Sequence, residues 1–247
     1  MNMLAIDVSS RTASAAVFKA ERLTGEQLTR ERAGGNPVIA AAHLDAGLTH
    51  SQTLLPMVDA LLQGGALTME DIDRVAVAVG PGSFTGVRIG VATAKGLAFA
   101  QEIPCTPVST LLGMAYGYAA LPLRGILCAA LDARRGQVYA AVFALEEGDV
   151  RRLTEDAAVN AEVLAAQLPA YGAPVLLTGD GAVLIRQALP DSVACHMLPT
   201  INYAAGIAAA AYALDLPAVH PDELRPVYLR LPQAERELRE RQGERGL

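Results

Sequence analysis

Two aspartates, Asp7 and Asp132, each end an apolar strand-like run and open a polar turn. Two further runs end in Gly-x-Gly, at Gly80–Gly82 and Gly179–Gly181, and lead into helix-compatible stretches. In such an arrangement carboxylates can hold Mg²⁺ while turn amides hold phosphates, and glycine lets a bound group approach the backbone. Together with Ser10 in the turn after Asp7, these residues outline a reduced nucleotide cleft between two lobes. The ordinary alternative is that each aspartate bonds its own turn and the glycines serve crowded backbone.

The segment Val75–Phe99, VAVAVGPGSFTGVRIGVATAKGLAF, joins a strand directly to a helix, with Ser83 or Thr85 as its cap. Its free first-turn amides suit an anion. On the same helix Gly86, Gly90, Ala94 and Ala98 recur every four positions and form a ridge against which another helix could pack closely. Phosphate cradle and protein-contact helix are thus the two uses to separate. Arg88 and Lys95, its charges, sit seven apart and read as a solvated face.

Other chemistries lack their residues. Gly86 is followed by Val87 and Arg88, so the lysine of a phosphate-binding Walker loop is missing. A dinucleotide fingerprint, Gly80-x-Gly82-x-x-x-Gly86 with Glu102 beyond it, is closer, but the next strand should precede that acid. His43, His50, His196 and His220 form no zinc spacing, and Cys105, Cys128 and Cys195 form no CxxC. A cytoplasmic, reducing setting is expected, without a membrane span. The net charge of −6 argues against unaided grip on nucleic acid, and the absence of tryptophan weakens any base-stacking platform.

Along its 247 residues the chain looks duplicated. Leu4–Phe18 and Ala129–Phe143 align without gaps and share Ala5/Ala130, Asp7/Asp132, Ala15/Ala140, Ala16/Ala141, Val17/Val142 and Phe18/Phe143. Each reads as a β-hairpin, followed later by a strand ending in Gly-x-Gly. This gives an α/β fold with lobes at 1–105 and 106–232 and a charged tail, 233–247, that is frayed or disordered. In the first lobe Thr49 and Gln52 suggest a capping box, and Leu54, Leu55, Val58, Leu61 and Leu62 form a helical stripe through Pro56, where a kink is expected. Asn202–Leu214 reads as an alanine-rich helix and Glu223–Leu231 as a short strand.

The runs GPGSFTGVRIGVATAKGLAFA, LAIDVSSRTASAAVF and HSQTLLPMVDALL closely resemble the TsaB (YeaZ) family of bacterial tRNA threonylcarbamoyladenosine biosynthesis proteins, over Met3 to about Arg230. The resemblance implies the two-lobed ASKHA fold, actin-like and Hsp70-like, a duplicated ribonuclease-H-like unit. It also implies a role in forming N6-threonylcarbamoyladenosine (t6A) beside the tRNA anticodon, with TsaD and TsaE. TsaD carries an HxxxH metal motif that has no counterpart here, so the family member is a partner without catalytic residues of its own. The implied interface uses Leu54, Leu55, Val58 and Leu61 of one helix and Gly86, Val87, Gly90, Val91, Ala94, Leu97 and Ala98 of the next, against TsaD or a second copy. ATP or ADP with Mg²⁺ at the complex interface is a further expectation. So is tRNA reached only indirectly, with Arg134 and Arg135 facing water. An ATP phosphotransferase using Asp7 and Asp132 is the enzyme alternative; a glycoprotease lacks both metal motif and triad.

Overall fold

The computed structural model describes residues 1–19, 38–45, 49–172 and 174–230; the charged tail read from the sequence lies outside the described residues. Two mixed sheets organise the chain. The first holds β1 (Asn2–Asp7), β2 (Ala13–Lys19), β3 (Val38–Leu44), β4 (Arg74–Gly80) and β5 (Cys105–Ser109) in the order β3-β2-β1-β4-β5. The second holds β6 (Arg124–Arg134), β7 (Gln137–Glu146), β8 (Asp149–Arg152), β9 (Ala157–Asn160), β10 (Val175–Thr178) and β11 (Cys195–Met197). Its order is β11-β10-β6-β7-β8, with β9 also on β7. Each sheet is built on a hairpin whose first strand also pairs in parallel: β1 with β2 and β4, and β6 with β7 and β10. The duplication is therefore structural.

Helices form layers around the sheets. On the outer face of the first sheet lie α1 (His50–Gly64) and α2 (Phe84–Phe99), burying Leu54, Val58, Leu61, Leu62, Val87 and Val91 against Leu4, Ile6, Val75 and Val77. Between the sheets lie α3 (Thr110–Tyr116) and α6 (Tyr203–Ala213), packed among Met3, Ala5, Leu127 and Phe143. On the far side α4 (Ala161–Gln167) and α5 (Ala182–Ala188) cover the second sheet. The middle position explains why α6 is apolar nearly all round. Its Gly206 lies against Gly113 of α3 so closely that a β-carbon would collide with the Gly113 carbonyl. Close helix contact through glycine thus occurs in the centre of the molecule. No helix among the described residues is long and apolar enough to cross a membrane.

Several local expectations change. Thr49 caps α1 through its backbone carbonyl, which accepts from Gln52 N–H at 2.9 Å, and its side chain makes no cap bond. The helix runs through exposed Pro56, where the carbonyl that loses its donor belongs to exposed Gln52 and can be met by water. Ser83 caps α2 by accepting from Gly86 N–H at 3.2 Å. The strand read at Glu223–Leu231 is absent over its described part: a 3₁₀ turn at Pro221–Glu223 leads into irregular chain running back along the first lobe.

The two hairpins differ in register by one residue. Asp7 pairs with Ser14, whereas Asp132 pairs with Val138 and it is Leu131 that faces Tyr139, the residue aligned with Ser14. A one-residue slip moves a side chain to the other face of a sheet. Asp7 and Asp132 are accordingly not equivalent, although the gapless alignment matches them.

Candidate functional site

A cleft of about 650 Å³ opens between the lobes, lined by Ser9, Ser10, Arg11 and His50, by Pro81–Phe84, by Leu131–Arg134, Tyr139 and Asp180, and by Val227–Arg230. Its first-lobe wall is the β1–β2 turn. The Ser9 amide donates to Asp7 Oδ1 at 3.0 Å, the Ser10 and Thr12 hydroxyls lie 3.0 Å apart, and Ser83 N–H donates to the Ser9 carbonyl at 2.6 Å, fastening the start of α2 to this turn. His50 Nε2 lies 3.0 Å from the Ser10 carbonyl, so α1 is fastened there too. Arg11, at the rim, pairs with Asp45 at 2.9 Å. Ser9 is 1% exposed and its hydroxyl has no partner within the described residues.

The second-lobe wall carries the charge. Asp180 Oδ1 accepts from the Asp132 amide at 2.9 Å, and Asp132 Oδ1 accepts from the Arg134 amide at 2.7 Å. Burial, reinforced by the neighbouring Asp132 charge, raises the Asp180 carboxyl above the usual range. Arg134 reaches Asp132 at 3.5 Å and is otherwise exposed. Arg134, Arg135 and Gly136 all have left-handed backbone, which turns the hairpin tightly and leaves both arginines outward.

Of the candidate nucleotide residues, Ser10, Gly82 and Asp132 line the cleft; Asp7, Gly80, Gly179 and Gly181 do not. Asp7 is fully buried beneath it, with Oδ2 unpartnered, and burial pushes its pKa up against the opposing pull of Ser9, His50 and His43. Asp7 and Asp132 thus stand apart, one beneath the cleft and one on its wall. The glycines are taken up by the chain itself. A β-carbon would collide with the Val227 carbonyl at Gly80, the Ser9 carbonyl at Gly82, the Ala130 carbonyl at Gly179 and the Leu131–Asp132 backbone at Gly181. Gly86 likewise lies against the Val8 carbonyl. At these positions backbone meets backbone.

The predicted contact ridge is corrected as well. Gly86, Val87, Gly90, Val91, Ala94 and Ala98, with Leu54, Val58 and Leu61 of α1, are buried against their own sheet and have no surface left for a neighbour. The small residues let α2 lie tightly on β1 and β4: a β-carbon at Gly90 would sit 2.9 Å from Val8 Cγ2. Leu55 is exposed and Leu97 half-buried. The outward face, which the spacing of small residues did not disclose, consists of Leu55 and Pro56 on α1 and Thr85, Ile89, Ala92, Gly96 and Phe99 on α2. Leu55 is 50% and Phe99 60% exposed, a large apolar side chain on the outward face of each helix. Nothing lies within 4 Å of where a β-carbon would stand on Gly96. A signal was present in the sequence: Leu55, Ala92, Gly96 and Phe99 are uncharged at positions facing away from the buried stripe.

Comparison with known proteins follows the same lines. The family model described as "TsaD: tRNA N6-adenosine threonylcarbamoyltransferase" matches residues 20–218. The tRNA threonylcarbamoyladenosine biosynthesis protein TsaB of Bacillus subtilis is 30% identical over 95% of this chain and 96% of its own length. The Escherichia coli protein of that name is 33% identical over 77% of this chain and 74% of its own. Among solved structures, YeaZ from Pseudomonas aeruginosa superposes with a TM-score of 0.74 at 27% identity, covering 92% of this chain and 99% of that one. The two sheets with their repeated hairpin units are the two-lobed ASKHA fold. On this near full-length similarity in sequence and fold, the chain belongs to the TsaB (YeaZ) family of tRNA threonylcarbamoyladenosine biosynthesis proteins.

Proposed function

We propose that this protein serves t6A formation on tRNA in the cytoplasm as a non-catalytic partner of TsaD, with TsaE joining the assembled complex. It presents the outward face of α1 and α2 to its partner. The observation that carries this reading is the exposed, uncharged surface of Leu55, Ala92, Gly96 and Phe99, with half-buried Ile89 among them, on two helices whose inner faces are locked to their own sheet. Rigid helices offering small and apolar side chains allow close helix-on-helix approach, and they need little reordering on docking. The same face suits a second copy of this chain, so the homodimer and the TsaD complex exclude one another. tRNA is reached through the partner, in keeping with a net charge of −6. Reconstitution of tRNA modification with TsaD, TsaE and a threonylcarbamoyl-adenylate source tests this reading. Modified adenosine should depend on this chain, and equal yield without it contradicts the proposal.

A second reading, nucleotide binding in the cleft by the isolated chain, draws support from the unpartnered Ser9 hydroxyl and the Asp132 and Asp180 carboxyl groups. Tight Mg-ATP binding with turnover by the chain alone would favour it over the partner role.

A further inference from the structure

After α6 the chain forms no long element, yet it is held at point after point. Val219 and Cys105 exchange backbone hydrogen bonds of 2.7 and 2.9 Å on the first lobe. Pro221–Glu223 lies on α2, where Lys95 Nζ donates to the Asp222 carbonyl at 3.3 Å, and Leu224 is buried in the core beneath. Val227 N–H donates to the Val79 carbonyl at 2.7 Å, and the Val227 carbonyl covers Gly80, whose φ is +116°. Tyr228 packs on Phe84 with ring centroids 4.7 Å apart. Its hydroxyl accepts from Arg88 Nε at 2.8 Å, while the Arg88 guanidinium lies 3.9 Å from the centre of the Phe84 ring. Arg230 then crosses to the other lobe and donates to the Ala133 carbonyl at 2.6 Å.

We infer that Val219–Arg230 is an inter-lobe clasp, tied along α2 and β4, latched by the Phe84–Tyr228–Arg88 stack and hooked to the second lobe by Arg230, which sets how far the cleft opens. Its last residues, Val227–Arg230, themselves wall the cleft. The contacts differ in kind from those inside each lobe. Val227 is 50% and Tyr228 37% exposed, so the latch rests on backbone pairing and cation–π contact at the surface rather than on deep burial. Segments held in this way open more readily than the cores they bridge. Both charges of α2 are committed to the clasp, Lys95 to its start and Arg88 to its latch. Through them α2, whose outer face is the proposed docking surface, meets the cleft. The clasp itself requires no partner and stands apart from that proposal.

The test uses the full chain, which contains no tryptophan, so Val227→Trp, at a half-exposed side chain beside the latch that leaves Phe84, Arg88 and Tyr228 in place, supplies a single fluorescent reporter. In that background Arg88→Ala should at least about double quenching by acrylamide, and Arg88→Ala with Arg230→Ala should speed amide exchange about tenfold in 226–230 and in both cleft turns, 9–12 and 131–136. Circular dichroism should remain that of the parent. Equal quenching with and without Arg88, or faster exchange confined to 226–230 while both cleft turns stay unchanged, overturns the clasp. Loss of the cooperative fold in the double variant overturns it too, because a clasp joins lobes that are already folded.

Discussion

Gly90 and Gly96 lie on different faces of α2. A β-carbon on Gly90 would meet Val8 Cγ2 at 2.9 Å, whereas one on Gly96 would meet nothing within 4 Å. Leucine should therefore have opposite effects at the two sites. Gly90→Leu overpacks the junction with β1 and β4 and should cost about 1–3 kcal/mol, while Gly96→Leu removes a poor helix former at an exposed site and should gain about 0.5–1 kcal/mol. Urea unfolding of the two variants checks both signs.

Gly206 of α6 touches the Gly113 carbonyl of α3 between the sheets. Valine there must push the two central helices apart and should cost about 3 kcal/mol or more. A thermal midpoint for Gly206→Val within a degree or two of the parent would show that the inner layer is looser than its geometry indicates.

Tyr118 is 1% exposed, and its hydroxyl lies 2.6 Å from both Thr178 Oγ1 and the Pro199 carbonyl, tying α3 to the second lobe. Tyr118→Phe removes both hydrogen bonds, and Thr178 keeps Tyr203 as its remaining side-chain partner. The expected loss is about 1–3 kcal/mol, read as a lower urea midpoint with an unchanged denaturant slope.

Asp7 is buried with one oxygen unpartnered, and desolvation raises its pKa above the unfolded 3.8. The folded chain then holds more protons than the unfolded chain at every pH between those two values. Asp7's contribution is thus fully present below the unfolded pKa and is lost as pH rises toward the folded one. Asp7→Asn has no carboxyl to titrate, so its stability relative to the parent should improve as pH rises above 3.8 in urea unfolding. Parallel curves for the two proteins would contradict the assignment.

The repeated hairpin and the ridge on α2 were legible because both leave periodic patterns. What covers the ridge was not. Spacing of small residues shows that something approaches closely, but an underlying sheet and a partner helix demand the same spacing, and here β1 and β4 fill the role. The pairing of Asp7 with Asp132 failed for a related reason: identical letters align without regard to the one-residue difference in hairpin register. Arg88 and Lys95 read as solvated because their partners, Tyr228 and Asp222, lie more than a hundred residues away in a stretch with no period at all. The glycines of both Gly-x-Gly ends were correctly marked as sites of close approach, yet the approaching group is the chain's own backbone.

Docking through the outer face of α2 is tested most directly by Gly96→Arg, since the site is open and the change leaves the core untouched. Sedimentation of the purified variant with TsaD should show the fold intact and the complex lost, with Gly64→Arg, at an open glycine near the end of α1, binding like the parent. If Gly96→Arg binds TsaD as the parent does, the outward face of α2 is not the docking surface.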